Sequence, residues 1–288
     1  MAKPHGSYAK LSKRLRQLGY LCGHPLDHFR CATAIRRSRL AANPRVTLKY
    51  LGDHLALSLR PAQRRMALES HYEIMSGMLR QGSAGALGDG LLIWRKGLSD
   101  GQALSITLEP SKLAPMEGEL QLRFSFRSDL CVLTFLIAHG EIFGVHQRTI
   151  LFVGGVQGRV GARQEFREAS KHNAEISPSA MLFLAVQAIA RVMGVGEIIG
   201  IGEDDQISTA YSRPRIRFDY HRFWTGLGGL RQGAHYSIPL ETPSKPILET
   251  SPSHRSRTRR KREAKWLLRQ SIERHVAQYV NVQMAAPA

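Results

Sequence analysis

Apolar and polar positions alternate most clearly in the middle of the chain. Leu104, Ile106 and Leu108 are separated by Ser105 and Thr107, and Leu120, Leu122, Phe124 and Phe126 by Gln121, Arg123 and Ser125. A period of two belongs to a strand with one face in a core, so both segments are expected to be half-buried antiparallel strands. Cys131 to Ala138 and Arg148 to Val153 are nearly continuous apolar runs joined through His139-Gly140-Glu141, the pattern of central strands covered on both faces. Ile198 to Ile201 and Arg215 to Tyr220 predict two further strands.

Around these the period becomes helical. Pro61 suits a first helical turn, and Leu68, Tyr72, Met75 and Leu79 then fall on one face of a helix over 61–80. Ser177-Pro178 is a helix start, followed by Leu182, Val186, Ile189 and Met193. Leu184 and Val192 make this segment apolar nearly all round, which predicts a central buried helix. Arg163 to Lys171 also favours a helix, whereas the glycines of Gln81 to Gly90 predict a flexible connection and a Gly-, Pro- and Ser-containing stretch runs to Ser253. From about Ser253 a last helix sets Leu268, Ile272, Val276 and Val280 at near-fourfold spacing. The expected fold is mixed α/β of the α+β kind: a largely antiparallel or mixed sheet packed by helices, over 51–288. A basic helical arm over 1–50 precedes it, and a basic amphipathic helix at about 253–283 ends it.

Charge sharpens this division. Residues 1–65 carry 14 Lys and Arg against 2 acids, and residues 254–275 carry 9 against 2, so the net charge of +18 sits almost wholly at the two ends. A neutral middle with basic flanks points to an anionic partner, whether nucleic acid, an anionic lipid surface or a phosphorylated metabolite. The alternative is that the basic helices only keep the chain soluble. Cys22, Cys31 and Cys131 show neither CxxC spacing nor a partnering His cluster, so no zinc site or disulfide framework is legible and a reducing, cytoplasmic setting is expected. No apolar run has the length of a membrane span, and none follows the basic N-terminus as a signal peptide would require.

Several strings, in order, carry a resemblance: His71-Tyr72, Glu117-Gly118-Glu119-Leu120, Gly154-Gly155-Val156-Gln157-Gly158, Phe218-Asp219-Tyr220-His221-Arg222-Phe223-Trp224 with Gly228-Gly229, and the basic run from Arg257 to Lys265. Together they resemble the VirK/YbjX family, a bacterial domain of unknown function, over roughly residues 50–270. Its members are associated with enteric virulence and stress responses, which implies a soluble bacterial protein acting inside the cell. The resemblance assigns no catalytic residue.

Five constellations offer chemistry. Gly154, Gly155, Gln157 and Gly158 follow an apolar strand and precede a helical segment, which is the recipe for a phosphate cradle: glycines let successive N–H groups face a ligand, and a helix start adds partial positive charge. The string is neither a P-loop nor a GxGxxG fingerprint. It is similar, with Val160 in place of a glycine, to the coenzyme A pyrophosphate loop of the GNAT acyltransferases, which implies acyl-CoA as cofactor. In an extended strand Asp219 and His221 share a face, so a general base and its orienting carboxylate could pair there; the alternative is that both face solvent while their aromatic neighbours pack. Glu117 and Glu119, also two apart, could form a carboxylate pair for metal or proton chemistry, and Glu203-Asp204-Asp205 could bind a cation. Arg257, Arg259, Arg260, Lys261 and Arg262 form the expected anion-binding face. Two functions follow from different classes: an acyl-CoA-dependent acyltransferase, or a non-enzymatic basic protein that binds nucleic acid or an anionic membrane.

Overall fold

The alternating and continuous apolar segments pair into one eight-stranded sheet. The computed structural model describes residues 15, 17–40, 44–211, 218–243 and 246–281. Among them the strands are β1 (Leu91–Gly97), β2 (Ala103–Pro110), β3 (Leu120–Phe126), β4 (Ser128–His139), β5 (Thr149–Gly158), β6 (Glu197–Ile201), β7 (Leu230–Gln232) and β8 (His235–Ile238), in the spatial order β1-β2-β3-β4-β5-β6-β8-β7. Every pairing is antiparallel except that of β5 with β6, which is parallel and needs a long crossover.

Helices α1 (Pro25–Ser38), α2 (Pro61–Met78) and α3 (Ser83–Asp89) precede the sheet, and α4 (Arg163–His172) and α5 (Pro178–Val192) make the crossover. Further on come α6 (Ile207–Tyr211), α7 (Tyr220–Gly226) and α8 (Arg255–Val276). Ser177 caps α5 by accepting from the Ala180 N–H, and Pro178 opens it, as the sequence requires. Helix α5 packs across β3, β4, β5 and β6, and α2 packs on β4. Leu130 to Ala138 and Ile150 to Val156 are accordingly buried without a break, the mark of strands covered on both faces.

Both terminal basic segments dock through apolar stripes. Cys31, Ala34 and Ile35 of α1 are buried against α2, and Leu268, Ile272 and Val276 of α8 against α5 and β1. Helix α8 runs alongside α5 in the same direction: Arg257 reaches Glu175 ahead of α5 at 3.0 Å, and Arg191 near the end of α5 lies 3.8 Å from Glu273. Beyond α8 the chain is stitched to the end of α2. Arg80 donates its N–H to Tyr279 and its Nε to the Val280 carbonyl, while the Asn281 N–H reaches the Met78 carbonyl at 2.7 Å.

Three expectations are corrected. Phe218 and Asp219 are irregular and Tyr220 begins a helix, so the strand expected to end at Tyr220 is not there; residues 215–217 lie outside the described residues. The side chain of Asp219 explains the change, since it accepts the Arg222 N–H at 2.8 Å and caps α7. The expected flexible connection holds α3, anchored by Leu87 against β1 and β2. The stretch to Ser253 contains the hairpin of β7 and β8.

A buried stripe, not charge, should hold α8 in place. Ile272→Ala is expected to cost about 2–5 kcal/mol in urea unfolding, whereas Arg259→Ala on the exposed face should change stability by no more than about 0.5 kcal/mol.

Candidate functional site

The segment between β2 and β3 crosses the sheet and carries Glu117 and Glu119 inside, with 4% and 5% of their surface exposed. They stand just ahead of β3, not within a strand. Three close approaches make room for them. A Cβ at Gly118 would lie 2.7 Å from the Phe135 backbone nitrogen. The register of β4 with β5 slips between Thr134 and Phe135, leaving Gly154 as the extra residue of a bulge, and a side chain at Gly154 or Gly155 would collide with Glu117. The glycines that looked like a phosphate cradle are therefore strand residues that leave space for a carboxylic acid.

The two carboxyl groups meet opposite surroundings. Glu117 receives the Gln157 amide at 2.8 and 2.9 Å, the Gln206 amide at 2.7 Å and, more distantly, the Thr134 hydroxyl at 3.4 Å. No cation is among these partners, so burial dominates and pushes its pKa up to about 7 against the pull of the donors. Glu119 receives the Tyr72 hydroxyl at 2.6 Å and the Lys49 ammonium at 2.9 Å. The His54 Nε2 approaches it at 3.3 Å without the alignment of a hydrogen bond. Burial alone would raise this group too, but His54, Lys49 and the neighbouring His71 hold it down at about 2. One of these two acids is thus held as a carboxylate and the other is poised near neutrality, a division typical of proton-handling sites. His71 is lowered to about 4 by burial, despite the pull of Glu119, and its Nδ1 accepts the Ile137 N–H at 3.2 Å.

Glu117 lies where the parallel pair ends. Strands β5 and β6 pair from Ile150 with Glu197 to Val153 with Gly200, after which β5 continues to Gly158 paired with β4 but without β6. Across that opening Glu117 joins Gln157 of β5 to Gln206, which follows β6. Tyr220 of α7 fills the next place: its hydroxyl accepts the Val156 N–H at 3.0 Å, which β6 no longer serves. Gln157 also lines a cavity of about 310 Å³ with Leu113, Cys131, Val132, Gly158 and Arg159. One amide therefore separates the buried carboxyl from a surface opening.

The other candidates fall elsewhere. Asp219 is a helix cap, while the His221 Nδ1 meets the Tyr236 hydroxyl at 2.9 Å; on a helix these two do not share a face, so the geometry does not bring them together as an acid/base pair. Asp205 accepts the Ser58 N–H and hydroxyl, each at 2.6 Å, and so ties the turn after β6 to the segment ahead of α2. The Cys131 thiol is pushed up to about 12 by burial and is a poor nucleophile. Arg257 pairs with Glu175, Arg259 and Arg260 are exposed, and Lys261 and Arg262 line a groove beside α5. Among the described residues no three His, Cys, Asp or Glu side chains gather as metal ligands, and no helix is long and apolar enough to cross a membrane.

Sequence reasoning named the two glutamates and Gln157 but missed Lys49, His54, Thr134 and Gln206. Thr134 had a signal, as the one hydroxyl inside an apolar run; Gln206 had none.

Fold and site define an α+β protein with two buried carboxyl groups in unlike surroundings, one of them, Glu117, at the end of its parallel strands. The chain belongs to a family of proteins of unknown function, DUF535, whose model matches residues 22–273. That family is the one also named VirK/YbjX. No curated protein and no solved structure matches the chain.

The unlike pair has a pH signature. Glu117 rises from 4.5 to about 7 on folding, so the stability its neutral form contributes is complete below pH 4.5 and is lost as pH rises through about 7. Glu119 falls from 4.5 to about 2, so its contribution is present above pH 4.5 and lost as pH falls through about 2. His71, lowered from 6.5 to about 4, contributes in the opposite sense over much of that range, so Glu117→Gln should tilt the melting-temperature curve upward between pH 4.5 and 7 relative to that of the wild type. Parallel curves for the two proteins would show that Glu117 is ionised throughout.

Proposed function

We propose that this chain is an acyltransferase that takes an acyl group from a coenzyme A thioester, with Glu117 as the group that accepts a proton from the acceptor nucleophile. One observation carries the reading: a buried carboxyl poised near neutrality lies across the carboxyl-terminal ends of the parallel pair, the place where open sheets take up ligands. The order of antiparallel strands, one parallel junction and a two-helix crossover resembles that of the GNAT acyltransferases and supports it further.

Residue roles differ from those of a phosphate loop. Gly154 and Gly155 serve the packing of Glu117, and Gln157, Gly158 and Arg159 at the cavity are the groups that meet the thioester. The acceptor's nucleophilic atom bonds to the acyl carbon, the carbon–sulfur bond breaks, and the proton taken by Glu117 passes to the departing thiolate. Gln157 keeps the Glu117 carboxyl oriented, and Tyr220 closes the adjoining gap against water. The family resemblance would set this activity in a bacterial stress or virulence response in the cytoplasm.

The test separates the acyl group from its carrier. Acetyl-CoA and longer acyl-CoAs should raise the melting temperature more than free CoA does, at low and at high salt, because a ligand held at 100 times its Kd adds about 2.7 kcal/mol. Gln157→Leu should erase that acyl-dependent increment. Equal shifts with CoA and acyl-CoA, or a shift reproduced by heparin and lost with salt, would overturn the acyltransferase reading.

A further inference from the structure

Helix α8 presents a second, separate constellation. Thr258, Lys261, Arg262, Lys265 and Arg269 recur at helical spacing along the face turned toward α5, where they line a groove of about 390 Å³ closed by Leu184, Glu241 and Pro243. Trp266 also lines this groove and is 54% exposed.

Two of the cations there, Lys261 and Lys265, are uncompensated. Glu241 is the acid of the groove, and it is already engaged by Arg191 and by Arg269, the latter at 3.1 Å. Lys261 and Lys265 have no acidic partner among the described residues. Like charges four residues apart on a helix repel, so the arrangement costs stability where it stands. The Lys265 ammonium shows this, held below its ordinary range by burial and by Lys261, Arg269 and Arg262. An indole face beside unpaired ammonium groups complements a ligand that is anionic at one end and flat at the other. The groove's volume is that of a small-molecule site, and the outward face of α8 is broken by Glu263 and Gln270 where a polymer track would want continuous cations.

We infer that this groove binds a nucleotide, its phosphate on Lys261 and Lys265 and its base against Trp266. The chemistry is shared by a free nucleotide and by the nucleotide end of a larger carrier. The site shares no residue with the Glu117 opening, so it stands whether or not that opening transfers acyl groups.

Tryptophan fluorescence of the full chain, titrated with ADP at about 0.15 M salt, reads the site. ADP should quench saturably, inorganic phosphate should compete, and Trp266→Phe should abolish the signal. Lys261→Ala with Lys265→Ala should weaken ADP binding about tenfold or more with no fall in melting temperature, and Glu117→Gln should leave the binding intact. Competition by CoA would identify a carrier's nucleotide end, and its failure a free nucleotide; either supports the site. Absence of saturable quenching, an unaltered affinity in the double variant, or a heparin response that salt abolishes would overturn it. So would a Trp266 blue shift on phosphatidylglycerol vesicles without any ADP response, which would make this a membrane-facing surface.

Discussion

The burial of two carboxyl groups in the middle of a sheet is the constraint on which the rest of this structure depends. An acid removed from water must find donors, a cation or a proton, and each solution demands particular neighbours in particular places. Glu119 takes the first two, drawing Tyr72 from α2 and Lys49 from the segment before it onto one carboxylate. Glu117 takes amide donors from Gln157 and Gln206 but no cation, and burial, outweighing those donors, makes it hold its proton more readily. Glycines at 118, 154 and 155, the bulge in β5 and the turn after β6 are all consequences of fitting those groups in.

Seen this way, four of the strings that carried the family resemblance are parts of one arrangement. His71-Tyr72, Glu117 to Glu119, Gly154 to Gln157 and Tyr220 lie far apart in the chain. In the fold the first supplies a donor to Glu119, the third surrounds Glu117, and the Tyr220 hydroxyl occupies the neighbouring backbone position on β5.

Periodicity made the central strands and the long helices legible, because their burial is decided locally by alternation or by a stripe. It failed where tertiary contact or a cap overrode composition. Strand β1 exposes much of its length, and β8 has only four residues in which to alternate, so neither announced itself. Phe218 to Trp224 is rich in residues that favour strands, yet Asp219 caps a helix that sets Tyr220 and Trp224 one turn apart, both buried. At the site the acids were visible and their partners were not. The Glu117 to Gln206 bond spans 89 residues and the Lys49 to Glu119 pair 70, and no local pattern encodes pairings of that separation. The glycine-rich string was read as ligand-facing because a turn at a ligand and a backbone pressed against another side chain ask for the same residue.

The stitch between the end of α2 and the residues beyond α8 bears on how the chain is made. Arg80 bonds to a carbonyl 200 positions later, and α8 covers β1 and α5 from the far end of the sequence. During synthesis the apolar surfaces of β1 and α5 must wait for residues 255–276 to leave the ribosome. Contacts of such long range favour slow, late closure over stepwise folding from the N-terminus. A nascent chain stalled before residue 268 would keep that surface open to chaperones.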